Sequence, residues 1–482
     1  MSLKKNFLIY GLGNMLYTAV VLLLVPIYLE KLNITDYGLY SIFYVTGNLL
    51  SVLFSLSVSN GILRYFSEYS GLKERKEAVS SLLVIFFLIF LVIAGLTFAV
   101  RAAGFNVLEA FKLPDNPAFI SLMLTWAFSR ILFNMILGVL RANNESIKYV
   151  ILSISDVLSL FLINYFIIYH TAFAVEHIFW GYTISSLLSV LTGSIFIARY
   201  FAFRLHQPAV KYLVTYGMPL SIANTISYLI SYGNRYFLLY FTSEREVAIF
   251  DVAQKITGIL GIVLVNGFMI AFTPYYLSLH QSATALEFNS KINLVLAIFT
   301  RVFFFMGGGV IVADHYFLSL LSKPEYLSSS FYTPFLIMAN AFNVLFMLLA
   351  MTTNIHKRTS IEMFITCIML IMGMSANLLL IPLLGMIGCA ISQIIMTFAG
   401  FIAINIYNKR NYPLNYQLKP LVVSIFIFIA VTVSDYFIVR LEIPVSYKLL
   451  VSALALALSG LQFLPSLPGL KATLQSFTRN SL

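Results

Sequence analysis

Charge is what this sequence has least of. Only 10% of its 482 residues are Asp, Glu, Lys or Arg, against ~25% in a soluble domain. A soluble chain of this length would form about three domains, and there are too few polar residues here to clothe three surfaces. Cysteine is as scarce. Cys367 and Cys389 both lie in apolar runs, which excludes a disulfide framework and a cysteine-based zinc site. The sequence contains no G-x-x-x-x-G-K-[ST], H-E-x-x-H, G-x-S-x-G or C-x-x-C, so the common nucleotide, zinc-protease, hydrolase and dithiol signatures are missing. The histidines (His170, His177, His206, His280, His315 and His356) stand singly at expected helix ends or loops. A metal centre needs convergent ligands. No catalytic residue, metal or other cofactor is expected.

Apolar residues take the place of charge. They make up 60% of the chain, with 43 Phe and 29 Tyr, and the mean hydropathy is +0.91. Windows of roughly 20 apolar residues recur about fourteen times, the first over 7–29 and the last over 446–464. Lipid offers no partner for bare backbone, so each window must span as a helix. The connections between windows average ~12 residues, too short for a folded extramembrane domain. The first apolar run lacks a small-residue cleavage site and reads as a retained helix. The expected class is an all-α polytopic membrane protein of about 14 transmembrane helices.

Lys and Arg are distributed unevenly over the connections. Lys4, Lys5, Lys73, Arg75, Lys76, Arg141, Lys148, Arg199, Arg204, Lys409, Arg410 and others fall on one side. The other side holds only Lys31, Arg101, Lys112, Arg245, Lys323, Arg440 and Lys448. Cationic loops stay in the cytoplasm, so both termini should be cytoplasmic. The net charge of +11 is then mostly topology, and no nucleic-acid partner is implied.

The chain also repeats. Lys5-x5-Gly11 opens the first span and Lys211-x5-Gly217 the seventh, each with a tyrosine before the glycine. Tyr37-Gly38-Leu39-Tyr40 corresponds to Val247-Ala248-Ile249-Phe250, and Asn143 to Asn354. The offsets cluster at roughly 210 residues. They divide the chain into two pseudo-symmetric six-helix lobes, 1–205 and 206–412, with two additional helices and a cytoplasmic tail in 413–482. Gly11 and Gly13 interrupt the first helix of one lobe, and Gly217 and Pro219 that of the other. Matched interruptions of this kind point to moving, site-lining helices.

Ionisable residues inside the spans carry the functional signal, because hydrocarbon penalises them. Arg130 and Arg301 lie mid-span, Arg235 and Lys255 in the outer third, and Arg64 closes the second span at its cytoplasmic end. Asp251 and Lys255 are four residues apart and can pair on one helix face. Asp156 is at a depth that Arg130 can reach, which leaves internal pairing and a role toward cargo both open. Asp314 and Asp435 fall near the outer boundary, where interfacial solvation accounts for them. Arg64 and Arg235 have no evident neighbour in sequence, and a guanidinium fork suits a phosphate or pyrophosphate. Gly307-Gly308-Gly309 in the ninth span reads as close helix packing or a kink.

Several stretches form a family pattern: Asp36-Tyr37-Gly38-Leu39-Tyr40, Gly138-Val139-Leu140-Arg141-Ala142, Tyr216-Gly217-Met218-Pro219-Leu220, and the segment from Asn377 to Ala390. In these the chain resembles the polysaccharide-transporter branch of the multidrug/oligosaccharidyl-lipid/polysaccharide exporter superfamily, the Wzx-type flippases of O-antigen and capsule synthesis. One departure is Asn234-Arg235, where the family often has Asp-Arg. The arginine is kept and a carboxylate is lost.

The resemblance implies alternating access in the bacterial inner membrane. The cargo would be a polyprenyl-pyrophosphate-linked oligosaccharide, flipped to the outer leaflet. Membrane lipids, a polysaccharide polymerase and chain-length-control proteins are the implied partners. The last two spans look like the extra pair of the related lipid II flippases, where such helices help form a groove for the polyprenyl tail. Arg64, Arg235, Arg130, Lys255, Arg301 and Asn234 are then the cargo-binding candidates, and Gly11, Gly13, Gly217 and Pro219 the hinges. Asp156 and Asp251 serve as coupling or structural carboxylates. Two rival readings remain. A cation-coupled multidrug antiporter would want an acidic, aromatic cavity. A membrane-embedded polymerase would want a larger outer loop than 101–118, whose carboxylates are Glu109 and Asp115.

Overall fold

The computed structural model describes residues 20, 23–69, 71–104, 117–170, 174–201, 206–321, 323–356, 358–412, 414–441, 451–454, 456–457, 459–460 and 463. Among these residues every regular element is a helix. The long helices are α1 (Ile34–Phe54), α2 (Val58–Glu68), α3 (Leu72–Ala102), α4 (Pro117–Ala142), α5 (Ser146–His170), α6 (Val175–Ile197), α7 (Gln207–Tyr232), α8 (Asn234–Phe241) and α9 (Glu244–Leu260). They continue with α10 (Asn266–Ser282), α11 (Ala285–Leu321), α12 (Thr333–Ile355), α13 (Thr359–Leu384), α14 (Met386–Asn411) and α15 (Leu418–Arg440).

Among the described residues, twelve helical stretches are long and apolar enough to cross a membrane, and they coincide with the second to thirteenth expected spans. The first and fourteenth fall largely outside the described residues, as do Gly11 and Gly13. α3 is the most apolar of the twelve, and only 6% of its best window is buried in the protein. It exposes Phe87, Leu88, Leu91, Val92, Leu96 and Phe98, an apolar face that lipid must cover.

The chain forms two compact units, Met1–Ala248 and Ile249–Leu482. The boundary expected at 205/206 falls inside the first unit, because α7 packs on α1, α2 and α3. The core of that unit gathers Ile62, Tyr65, Phe66, Phe86, Phe133, Val139 and Leu213. Within the second unit, α14 packs on α12 and α13, and α11 on α15. Tyr37 is the fourth residue of α1 and Val247 the fourth of α9, and both are fully buried.

Two of the family stretches serve close packing. At Gly38 an added Cβ would lie 1.9 Å from the Glu244 carbonyl oxygen, and at Gly388 2.2 Å from that of Leu380. Gly385 has φ of 58° and turns the chain from α13 into α14. The glycine run of the ninth span also packs closely. A Cβ at Gly307 would meet Ile337 of α12, and at Gly308 Leu456 and Val431.

Candidate functional site

The second span is not one continuous helix. It breaks at Ser55–Ser57, where Leu56 and Ser57 take left-handed φ of 49° and 46°, a conformation that costs a non-glycine residue about 1–2 kcal/mol. A broken helix inside a membrane leaves carbonyls that need donors, and α7 supplies one. The Ser221 hydroxyl lies 2.7 Å from the Val52 carbonyl oxygen and 2.9 Å from that of Leu53. The approach depends on Gly217, where a Cβ would stand 2.0 Å from the Leu56 oxygen. Gly217 and Pro219, expected to open the seventh span, thus lie well inside α7, which begins at Gln207 and continues past Pro219.

α7 is the least apolar of the twelve spans, with a mean hydropathy of 1.2 over its best window. It exposes Thr215, Asn224, Ser227 and Tyr232. Each end of its membrane portion meets an arginine. The Arg64 guanidinium lies 4.6 Å from the Tyr216 ring centroid, and its Nε donates to Glu68 Oε1 at 2.9 Å. The Arg64 side chain is 52% exposed. Arg235 follows the α7–α8 junction at Gly233 and is buried. It lies 5.1 Å from the Tyr232 ring centroid, and its Nε donates to the Ser41 hydroxyl of α1 at 3.2 Å. Tyr228 and Tyr236 are close enough to Arg235 to interact with it electrostatically. Their hydroxyls are anchored on α1: Tyr228 donates to the Val45 carbonyl at 3.2 Å, and Tyr236 pairs with Thr46 at 2.8 Å. Asn234 is buried beside Arg235.

The other candidates are engaged differently. Arg130 Nη1 meets Asp156 Oδ2 at 2.8 Å between α4 and α5, with the guanidinium over the Phe133 ring. Lys255 and Asp251 pair at 2.9 Å along α9. These four side chains therefore have a structural account of their own, and the choice between internal pairing and an open Arg130 resolves toward pairing. Arg301 on α11 is half-buried and forms no ion pair with a described residue. Beside it, the Thr300 and Tyr416 hydroxyls meet at 3.3 Å. Burial pushes the Tyr416 phenol up to about 12. Asp314 and Asp435 are buried rather than solvated at a boundary, with 4% and 6% exposure.

Sequence reasoning missed a nest of aromatic rings on α1, α4 and α6. Tyr40, Tyr44, Trp126, Phe179 and Tyr182 pack with ring centroids 5.1–6.5 Å apart, and the Tyr40 and Tyr182 hydroxyls lie 3.1 Å apart. The period-four tyrosines Tyr40 and Tyr44 were the available signal.

Residues 3–280 match the family model described as polysaccharide biosynthesis protein. The chain belongs to that family. Over 369 residues it is 21% identical to an uncharacterized membrane protein of Haemophilus influenzae, covering 70% of this chain and 83% of that one. Its fold is that of known transporters. Against the lipid II flippase MurJ in an inward closed conformation the TM-score is 0.72 at 14% identity, over 95% of this chain and 97% of MurJ. Against an inward-facing multidrug resistance MATE family transporter of the MOP superfamily it is 0.58 at 15% identity, over 81% and 97%. A MOP superfamily transporter from Pyrococcus furiosus, described by the reverse polarity of its binding pocket, matches with a TM-score of 0.57 at 15% identity, over 84% and 95%. This member of the polysaccharide biosynthesis family is thus an all-helical, multi-pass membrane protein with the fold that MurJ and MATE transporters share.

Proposed function

We propose that this protein translocates a polyprenyl-pyrophosphate-linked oligosaccharide, of the O-antigen or capsule repeat-unit type, by alternating access. The observation that carries this reading is the pairing of Arg64 and Arg235 with one polar, tyrosine-bearing helix. Tyr216 and Tyr232, the rings beneath the two guanidinium groups, are sixteen positions apart on α7, or about 24 Å at 1.5 Å per residue. The two arginines are successive stations for an anionic head rather than one pocket. Guanidinium forks match pyrophosphate oxygens, the exposed hydroxyl and amide groups of α7 suit sugar hydroxyls, and tyrosine faces suit sugar rings. Asn234, buried beside Arg235, and Arg301 of the second unit are further candidates for binding the cargo. Gly217 and Pro219 belong to the same helix and are the positions where it would bend as access alternates.

The same cations disfavour an organic-cation antiporter, because a like charge at both stations repels the cargo. The uneven placement of Lys and Arg supports cytoplasmic termini and a bacterial inner-membrane location. The test uses purified protein in vesicles carrying a fluorescent polyprenyl-pyrophosphate oligosaccharide in one leaflet, with insertion checked separately. Arg235→Ala should slow translocation about tenfold or more, as expected for losing roughly 1.5–3 kcal/mol of charge-assisted hydrogen bonding, and Arg64→Ala should slow it as well. Arg→Lys should recover only part of the rate, since an ammonium cannot bond bidentately. Near-normal translocation by a stably inserted Arg64→Ala, Arg235→Ala double variant would overturn the assignment.

A further inference from the structure

A second group of ionisable side chains lies in the second unit, apart from every residue assigned above. Asp314 on α11 and Asp435 on α15 are both buried, on helices that pack together, and they are close enough to act on one another electrostatically. One hydroxyl contacts the pair directly. Ser452 Oγ donates to Asp435 Oδ1 at 2.8 Å. Thr333, which opens α12, is near enough to act on Asp314, and its hydroxyl donates to the Ser329 carbonyl oxygen at 3.4 Å. Ser329, one turn before Thr333 in the 3-10 turn Pro324–Phe331, is completely buried. Its Oγ, the Tyr316 hydroxyl and Asp314 Oδ2 have no hydrogen-bond partner among the described residues.

No ion pair joins either aspartate to a described lysine or arginine. The titratable groups around the pair come from each neighbouring element. His315 and Tyr316 of α11 both act on or feel the Asp435 charge. Lys323, Glu325 and Tyr326 belong to the adjoining 3-10 segment. Arg440 at the end of α15 is turned to the Tyr436 ring, 4.1 Å away.

Two carboxylates buried on packed helices, with no described lysine or arginine paired to either and His315 alone acting on Asp435 as a cation, disfavour double ionisation. A single proton held by the pair removes one of the charges. It also turns one carboxyl into a donor, the role missing at Asp314 Oδ2. The Ser452 hydroxyl, 2.8 Å from Asp435 Oδ1, donates or accepts as required and can follow that proton as it arrives or leaves. Asp314 lies seven residues from the end of α11 and Asp435 five from the end of α15, so water is within about 10 Å along the helix axes.

We propose that Asp314 and Asp435 form an exchangeable proton site. A hydronium ion gives up a proton to the dicarboxylate pair and leaves as water, and the reverse step returns the proton to water. This adds a second carboxylate system to a chain that has Asn234 where a carboxylate could have sat beside its arginine. If the transport reading holds, the site would let a proton gradient bias the cycle. The proton binding itself needs no cargo.

Infrared difference spectroscopy on the full-length protein in lipid, stepped across the neutral pH range in H2O and in D2O, reads the site directly. The expected result is a protonated-carboxyl stretch that persists at neutral pH, shifts in D2O, and is lost in both Asp314→Asn and Asp435→Asn. Should either variant fail to insert, Ser452→Ala removes the hydroxyl donor to Asp435. It should move both the band and its pH midpoint. The proposal is overturned if the wild type shows no such band, or if the band survives in both Asn variants. It is equally overturned if sodium at constant pH abolishes the band, because the pair would then be a metal-cation site. None of these outcomes depends on translocation, so the transport reading can fail while the proton site stands.

Discussion

Gly217→Ala separates a packing role for this glycine from a hinge role. The added Cβ would sit 2.0 Å from the Leu56 carbonyl oxygen, about 1 Å inside the 3.0 Å that Cβ contacts essentially never breach, and the atom it meets is backbone. α7 must therefore move away from the α1–α2 break by about that distance. Overpacking of this kind costs about 1–3 kcal/mol. The displacement also stretches the Ser221 contacts at 2.7 and 2.9 Å, worth about 1 kcal/mol as a net hydrogen bond. The expected loss is roughly 2–4 kcal/mol. Ser221→Ala alone should lose about 1 kcal/mol. The double variant should lose less than the sum, because both changes act on the same contact. Unfolding midpoints in detergent, with expression and insertion measured in parallel, would show the order. If Gly217→Ala unfolds at the wild-type midpoint but translocates slowly, the close approach is not holding the break together and the glycine serves as a hinge.

Further outcomes follow from the same geometry. Arg130→Ala should destabilise by about 3–5 kcal/mol, because it strands the buried Asp156 carboxylate, and Arg130→Ala with Asp156→Ala should recover part of the loss; equal instability of single and double variants would contradict the pairing. Gly38→Ala should be poorly tolerated, since its Cβ would meet the Glu244 carbonyl at 1.9 Å, whereas Gly95→Ala, with nothing within 4 Å, should be neutral to slightly stabilising by up to about 1 kcal/mol; paired melting curves test both. Tyr182→Phe removes only the hydroxyl 3.1 Å from Tyr40 and should cost about 1 kcal/mol, while Tyr182→Ala, which empties part of the ring cluster, should cost about 3–5 kcal/mol.

The spans were legible because lipid imposes one rule along the whole chain: a run of about 20 apolar residues must be helical. The expected repeat would put Tyr37 and Val247 in corresponding places, and each is the fourth residue of its helix. Arg130 and Asp156 could be matched by depth alone. What escaped depended on neighbours that hydropathy does not report. The break at Ser55–Ser57 carries neither Gly nor Pro and is held by Ser55 within it and by Ser221 on a distant helix. Gly217 and Pro219 read as a helix start because Gln207, Pro208 and Lys211 lower the apolar signal before them, yet that segment is already helical. Asp314 and Asp435 were placed at a solvated boundary because depth in a span does not distinguish water from the interior of the protein. Arg235 stood out as an intramembrane charge, but its rings and its Ser41 contact could not be read from spacing.

The central claim is that the chain moves a lipid-linked oligosaccharide, and the rate at which purified protein transfers one between leaflets tests it most directly. Vesicles with and without the protein would carry a fluorescent polyprenyl-pyrophosphate oligosaccharide, with an impermeant quencher reporting the outer leaflet. Matched vesicles would carry the same polyprenol without pyrophosphate or sugar, or an organic cation in the lumen. The account predicts protein-dependent transfer of the complete cargo, slowed in Arg235→Ala, with little transfer of the bare polyprenol. Transfer indistinguishable from empty vesicles by well-inserted protein, or export of the organic cation in its place, would contradict it.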